Sequence, residues 1–169
     1  MVMKGLFSQD FWYRLIKEFD TMTETKKPRP TAILMHLFTE IAMNSFIDDF
    51  FPIEISKRQL NKGFVDKVDF LKEKGVIEQD TYDNMIQINK IRVLYVHIRN
   101  LEDLDPDEAE VRMLLDSIKY REGYAPKQKK NLTDILFTTV MDVLLYQLQE
   151  DFVNAEMLRD MKSKWKSKG

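Results

Sequence analysis

Apolar residues recur along most of the chain at intervals of three and four positions, which places them on one face of an α-helix. Alternation of β-branched with polar residues, the signature of a half-buried strand, is scarce. Most of the 5 glycines and 5 prolines fall where the helical pattern breaks. The pattern therefore predicts an all-α fold, a single-domain bundle of about five to six helices.

The breaks divide this single domain into three parts. These are an N-terminal helix and linker (1–30), a core bundle (31–125) and a long C-terminal helix with a basic tail (126–169). In the first part, Ser8 is a candidate cap for a helix that carries Phe11, Leu15 and Phe19. The two prolines in residues 25–30 predict a stiff connection that is not helical.

Four helices are predicted for the core bundle. The first spans about residues 31–50, ends at Pro52 and has a broad apolar face. That face comprises Ile33, Leu34, Leu37, Phe38, Ile41, Ala42, Ser45, Phe46 and Asp49. The next helix stops at Gly75, and another runs from near Glu78 to about His97. A short fourth helix has Asp105 as its expected N-cap, followed by Pro106.

The third part is predicted to be a single long helix that begins near Asn131 and runs beyond Asp160. Its apolar row comprises Leu136, Val140, Leu144, Leu148, Phe152 and Ala155. Such a helix is a candidate surface for a second copy of the chain or for another protein.

Composition narrows the classes of function. The 169 residues are 44% hydrophobic and 32% charged and contain no cysteine, which excludes thiol catalysis and zinc–thiolate sites within this chain. The formal net charge of -2 indicates no overall basic field for nucleic acid. No apolar run approaches the roughly 20 residues of a membrane span, and the first residues do not resemble a signal peptide. We expect a soluble cytoplasmic protein that is not bound to a membrane.

Common sequence motifs for cofactors and metals are missing. There is no GxxxxGK[ST] loop, no GxGxxG turn and no HExxH pair. The adjacent carboxylates Asp48 and Asp49 diverge by about 100° on a helix, an arrangement badly suited to holding one ion. We therefore predict neither a cofactor nor a metal site.

The sequence INKIRVLYVHIRN, residues 88–100, places Arg92 and His97 in an otherwise largely apolar helix. Five helical steps leave their side chains about 140° apart, so convergence requires a long arginine side chain, a helix end or a partner chain. A histidine can transfer a proton near neutral pH, and an arginine can stabilise charge on a phosphoryl group. The alternative is structural, with Arg92 paired to an acid and His97 capping helix carbonyls.

An arginine followed four to six residues later by a histidine, near the end of a core helix, resembles the signature of the HEPN domain. The wider stretch 63–97 resembles the mannitol-repressor-like branch of these bundles, with matches at residues 75–77, Tyr82 and residues 91–97. The resemblance covers about 35 residues. It implies a helical bundle that usually dimerises and, in active members, metal-independent cleavage of RNA by the arginine and histidine, here Arg92 and His97.

Val93 occupies the position directly after the arginine, where active HEPN members commonly carry Asn, Asp or His. This departure favours a non-catalytic, HEPN-like interaction or regulatory module that forms a homodimer and binds a protein partner. The alternative is a toxin-like ribonuclease that uses Arg92 and His97. The sequence leaves open whether the chain is an enzyme.

Two basic stretches could contact an RNA backbone, with a tryptophan available for stacking on a base. Their candidate residues are Lys127, Lys129, Lys130, Lys162, Lys164 and Trp165. The simpler interpretation, which we favour, is a solvated loop and a solvated terminus.

Overall fold

The computed structural model describes residues 13–14, 16–18, 20–21, 27–97, 106–123, 125 and 131–166. Within these residues the protein is all-helical and contains no β-strand, which confirms the predicted helical bundle. The helices are α1 (Pro28–Phe50), α2 (Ile53–Leu60), α3 (Phe64–Glu73), α4 (Gln79–Val96), α5 (Glu108–Asp116), α6 (Leu132–Val140) and α7 (Gln149–Lys166), with a π-helical segment (Met141–Leu148) between the last two. The described residues between 13 and 21 are also helical, whereas Ser8, Phe11, Leu15 and Phe19 lie outside the described residues.

Helix α1 is central, since α2, α3, α4 and α6 all pack against it. The predicted apolar face of this helix is wrong in part. Ile33, Leu37 and Ile41 are 39%, 46% and 38% exposed, whereas Met35 and Met43 are fully buried. Helix α1 itself carries apolar residues on every side. The positions of the neighbouring helices therefore decide which of these residues are buried in the core.

The start of α1 corrects a second prediction, since Pro28 and Pro30 form its first turn instead of a non-helical connection. N–H groups in a first turn have no acceptor within the helix, so proline loses nothing there, and its fixed φ suits helical backbone. Helix α2 follows Pro52 and was not predicted from the sequence. The hydroxyl of Ser56 in α2 donates to Asp48 Oδ1 of α1 at 2.7 Å, which ties the two helices together.

Helices α3 and α4 agree with their predicted limits. Gly75 has φ 66° after α3, and the N–H of Val76 donates to Leu71 O at 2.9 Å, as expected of a glycine helix stop. The prediction for α5 is wrong in its cap, because Asp107 Oδ1 accepts from the N–H of Ala109 at 2.9 Å. The predicted cap, Asp105, lies outside the described residues.

The long C-terminal helix is confirmed, with Asn131 as its side-chain cap, but a π-helical segment interrupts it. Leu136, Val140, Leu148 and Phe152 are all buried. On an ideal α-helix these four-residue steps would drift by roughly 160° in total from the first to the last. The wider turns of the π segment reduce this drift and keep the apolar row on the core.

Stacked aromatic rings join α1 to α7. Phe46 of α1 lies 3.9 Å from Phe152 of α7 between ring centroids. Arg159 donates to Phe50 O at 3.0 Å, and its guanidinium lies over the Phe50 ring at 4.3 Å. These contacts hold the C-terminal end of α1 against α7.

Candidate functional site

Helix α4 carries Arg92. A contact at the first turn of α4 helps to position this helix. The N–H of Glu78, the N-cap residue, donates to Asp151 Oδ2 of α7 at 2.9 Å. Along the helix, Met85, Ile88 and Ile91 are fully buried, which rotates the half-buried Arg92 away from the centre of the core. The core-facing row of α4 therefore determines where the guanidinium lies.

Arg92 lines a surface pocket of about 340 Å³ between α1, α3 and α4. The pocket is lined by His36, Glu40, Gly63, Phe64, Val65, Asp66, Asn89, Arg92 and Val93. The arginine therefore shares its pocket with His36, the histidine of α1. Residues 36, 64 and 92 are distant in the sequence, and no local spacing could have predicted their convergence.

His36 is only 8% exposed and packs against Phe64, with 4.2 Å between ring centroids. Its side chain lies near Asn89, and its buried Nε2 atom has no hydrogen-bond partner among the described residues. Burial lowers the pKa of His36 below 6.5, the positive charge of Arg92 lowers it further, and Glu40 acts in the opposite direction. The imidazole is therefore neutral at neutral pH.

A partly buried ion pair lies at the edge of this pocket. Lys67 Nζ of α3 is 2.8 Å from Glu40 Oε1 of α1, and their side chains are 3% and 28% exposed. The charges of Glu40 and Lys67 largely offset each other, and the contact holds α3 against α1. Within the described part of the chain, Arg92 has no comparable carboxylate partner.

His97 follows the last residue of α4 as its C-cap, and its side chain is exposed. Its backbone N–H donates to Val93 O at 3.0 Å. His97 does not line the pocket that contains Arg92. A joint role of Arg92 and His97 remains a prediction.

The residues proposed to contact RNA lie outside the described residues or near the end of α7. Lys127, Lys129 and Lys130 lie outside the described residues. Lys162 is exposed on α7, and Lys164 and Trp165 belong to the last turn of that helix. Their role in RNA binding remains a prediction.

A second polar cluster, which the sequence did not reveal, joins α4 to the π-helical segment. The Asn84 side chain is fully buried and donates to Gln147 Oε1 at 2.7 Å and to Lys119 O at 3.0 Å. Gln147 Nε2 in turn donates to Asp142 Oδ2 at 2.8 Å. Asn84 and Gln147 bond mainly within this cluster, so we assign the cluster a structural role.

No group of three or more His, Asp or Glu side chains suited to a metal ion occurs in the residues that the structure describes. None of the described helices is long and apolar enough to cross a membrane. Comparisons with models of known protein families, with curated proteins and with solved structures found no match.

Proposed function

We propose that this protein is a non-catalytic, HEPN-like interaction or regulatory module that forms a homodimer through α7. One observation supports this proposal, a group of exposed apolar residues on that helix. Val153, Met157, Leu158 and Met161 are 40%, 59%, 56% and 55% exposed. Large apolar side chains clustered on one helix are typical of a protein–protein interface.

The remainder of α7 suits this role. Phe152 and Ala155 point into the core, so the helix is anchored on one side while the apolar group faces outward. Asp160 and Lys162, one on each side of the apolar group, are also exposed and can form part of a polar rim. Methionine side chains adapt to irregular partner surfaces, which suits a regulatory contact.

Sedimentation equilibrium of the purified protein tests this proposal. We expect a dimer for the parent and a monomer when Met157→Glu and Met161→Glu are combined, because the carboxylates would be desolvated at the interface. Met113→Glu is the matched control, since Met113 is 65% exposed on α5, and it should leave the dimer intact. A monomeric parent, or a double variant that still dimerises, would contradict the proposed interface.

The second candidate function is a metal-independent ribonuclease that uses Arg92 and His97. Its support is the position of Arg92 at an open pocket and of His97 on the exposed end of the same helix. In this mechanism Arg92 stabilises charge at phosphorus and His97 transfers a proton.

Incubation with mixed RNA in excess chelator separates the two candidates. A ribonuclease would cleave the RNA, and His97→Ala and Arg92→Ala would each abolish cleavage while circular dichroism still shows a folded helical protein. The interaction module predicts no cleavage by any of the three proteins.

A further inference from the structure

Three exposed apolar residues of α7 are arranged symmetrically about Met157. Val153 lies four residues before Met157, and Met161 lies four residues after it. A step of four residues on an α-helix turns through about 400°, so all three positions lie within about 40° of one line along the helix. Such a row fits a second copy of itself in either direction. The apolar contacts therefore leave the orientation of the two helices to the charges around them.

The charges of the C-terminal segment are distributed unevenly along its length. Residues 149–156 contain three acidic side chains and no basic one, whereas residues 159–168 contain five basic side chains and one acidic one. Asp151 is buried and accepts from the N–H of Glu78, so Glu150 is the exposed acid in the first turn of α7. The start of the helix is therefore negative, and its end is positive.

Glu150 and Lys164 occupy equivalent positions on the two sides of Met157. Each position is seven residues away, which is about 10.5 Å along the helix and about 20° from the line through Met157. In an antiparallel pair with its two-fold axis at Met157, position 150 of each copy lies opposite position 164 of the other. In a parallel pair each position lies opposite itself, so acid faces acid and lysine faces lysine.

We propose that the α7 helices of two copies pack antiparallel, with the two-fold axis at Met157 and Glu150 of each copy opposite Lys164 of the other. This inference rests on the proposed dimer and specifies how the second copy lies on that same surface. Opposite charges then meet at both ends of the apolar contact, and the opposed helix dipoles add to the attraction. A parallel pair would bring like charges together at the same two places, which is unfavourable.

Disulfide crosslinking tests the orientation directly, since the chain contains no cysteine of its own. A disulfide requires Cα atoms within about 7 Å of each other. In the antiparallel pair the two copies of Val153 are about 12 Å apart along the helix axis, whereas Val153 of one copy lies beside Met161 of the other. We therefore expect Val153→Cys and Met161→Cys each to remain uncrosslinked alone after oxidation, and to form a disulfide-linked dimer when the two variants are co-expressed.

Two further cysteine variants serve as controls for crosslinking. Met157→Cys should crosslink by itself, because its two copies meet at the proposed axis. Met113→Cys should not crosslink, because Met113 is equally exposed but lies on α5. Together they distinguish contact at α7 from random collision between exposed cysteines.

Charge reversal, followed by sedimentation equilibrium, is the second test. Glu150→Lys alone and Lys164→Glu alone should each raise the Kd of the dimer about threefold to thirtyfold, because each replaces two attractive contacts per dimer by repulsive ones. The variant with both reversals restores opposite charges in the antiparallel pair and should recover the parent Kd. Glu54→Lys is the matched control, since Glu54 is exposed in the first turn of α2, and it should leave the Kd unchanged.

Failure of the antiparallel arrangement is distinguishable from failure of the dimer itself. A monomeric parent overturns both. A dimeric parent whose Val153→Cys variant crosslinks by itself, or whose combined charge reversal binds as weakly as the single variants, overturns the antiparallel arrangement alone. Thermal unfolding of each variant verifies that the fold persists.

Discussion

Replacing Asn84 by alanine should destabilise the protein more than any surface change of similar size. Asn84 is fully buried and makes three hydrogen bonds, two from Nδ2 to Lys119 O and Gln147 Oε1 and one at Oδ1 from the N–H of Lys119. Their lengths are 3.0, 2.7 and 2.8 Å, respectively. The side chain thus connects α4 to the segment after α5 and to the π-helical segment.

The size of the effect follows from which groups lose their partners. In Asn84→Ala, Lys119 O still accepts from Gln147 Nε2 at 2.8 Å. The N–H of Lys119 and Oε1 of Gln147 lose the partner that Asn84 supplied. With net contributions of about 0.5–1.5 kcal/mol per hydrogen bond and further penalties for unsatisfied groups, the free energy of unfolding should fall by about 2–4 kcal/mol. The matching decrease in Tm is about 4–16 °C for a chain of this size.

Urea denaturation followed by circular dichroism measures this loss directly. Asn61→Ala is the matched control, because the Asn61 side chain donates to Lys57 O at 2.9 Å on the exposed surface. Its effect should remain within about 0.5 kcal/mol. An Asn84→Ala variant as stable as the control variant, with an unchanged m-value, would refute the assigned role of this hydrogen-bond network.

Three further predictions concern stability. Because the pKa of His36 in the folded protein lies below 6.5, the unfolded chain takes up more protons below that pH, and the free energy of unfolding should fall as the pH drops below about 6.5. His36→Gln should reduce this slope in urea titrations at several pH values, and an unchanged slope would exclude His36 as its source. Gly75→Ala should lower the free energy of unfolding by about 1–2 kcal/mol, since φ at this position is 66°, whereas Gly63→Ala, at a negative φ, should have a smaller effect. Asp151→Ala should lower the free energy of unfolding by about 1–2 kcal/mol, because it removes the acceptor of the Glu78 N–H. Asp151→Asn keeps an acceptor oxygen and should retain most of this stability. Urea denaturation measures both values, and equal losses would contradict the capping role.

Much of the helical architecture could be predicted from local features of the chain. The three- and four-residue spacing of apolar side chains predicted α1, α3, α4, α5 and the long C-terminal helix. Gly75 and Asn131 marked a helix end and a helix start, because stops and caps depend on backbone groups only a few residues away. Helix α2 was not predicted because it is short and directly follows Pro52, which was interpreted only as the end of the preceding helix.

Only part of the candidate site could be predicted from the sequence. Arg92 was singled out as a charged residue in a largely apolar helix, and it does line a pocket. The partner histidine in that pocket is His36, which lies on another helix, whereas His97 lies at the exposed end of α4. The pocket also depends on the first turn of α3, whose glycine cap has no distinctive sequence signature.

There is a physical reason why the sequence predicts the helices but not how they pack. Helix formation, capping and turns depend on interactions between residues close along the chain, so the local order of residues is sufficient to predict them. Packing depends on where one helix lies against another. The neighbours of α1 therefore determine that Met35 and Met43 are buried while Leu37 is exposed, and that His36 meets Arg92. Such contacts join residues that are far apart in the sequence, and only the folded arrangement of the helices brings them together.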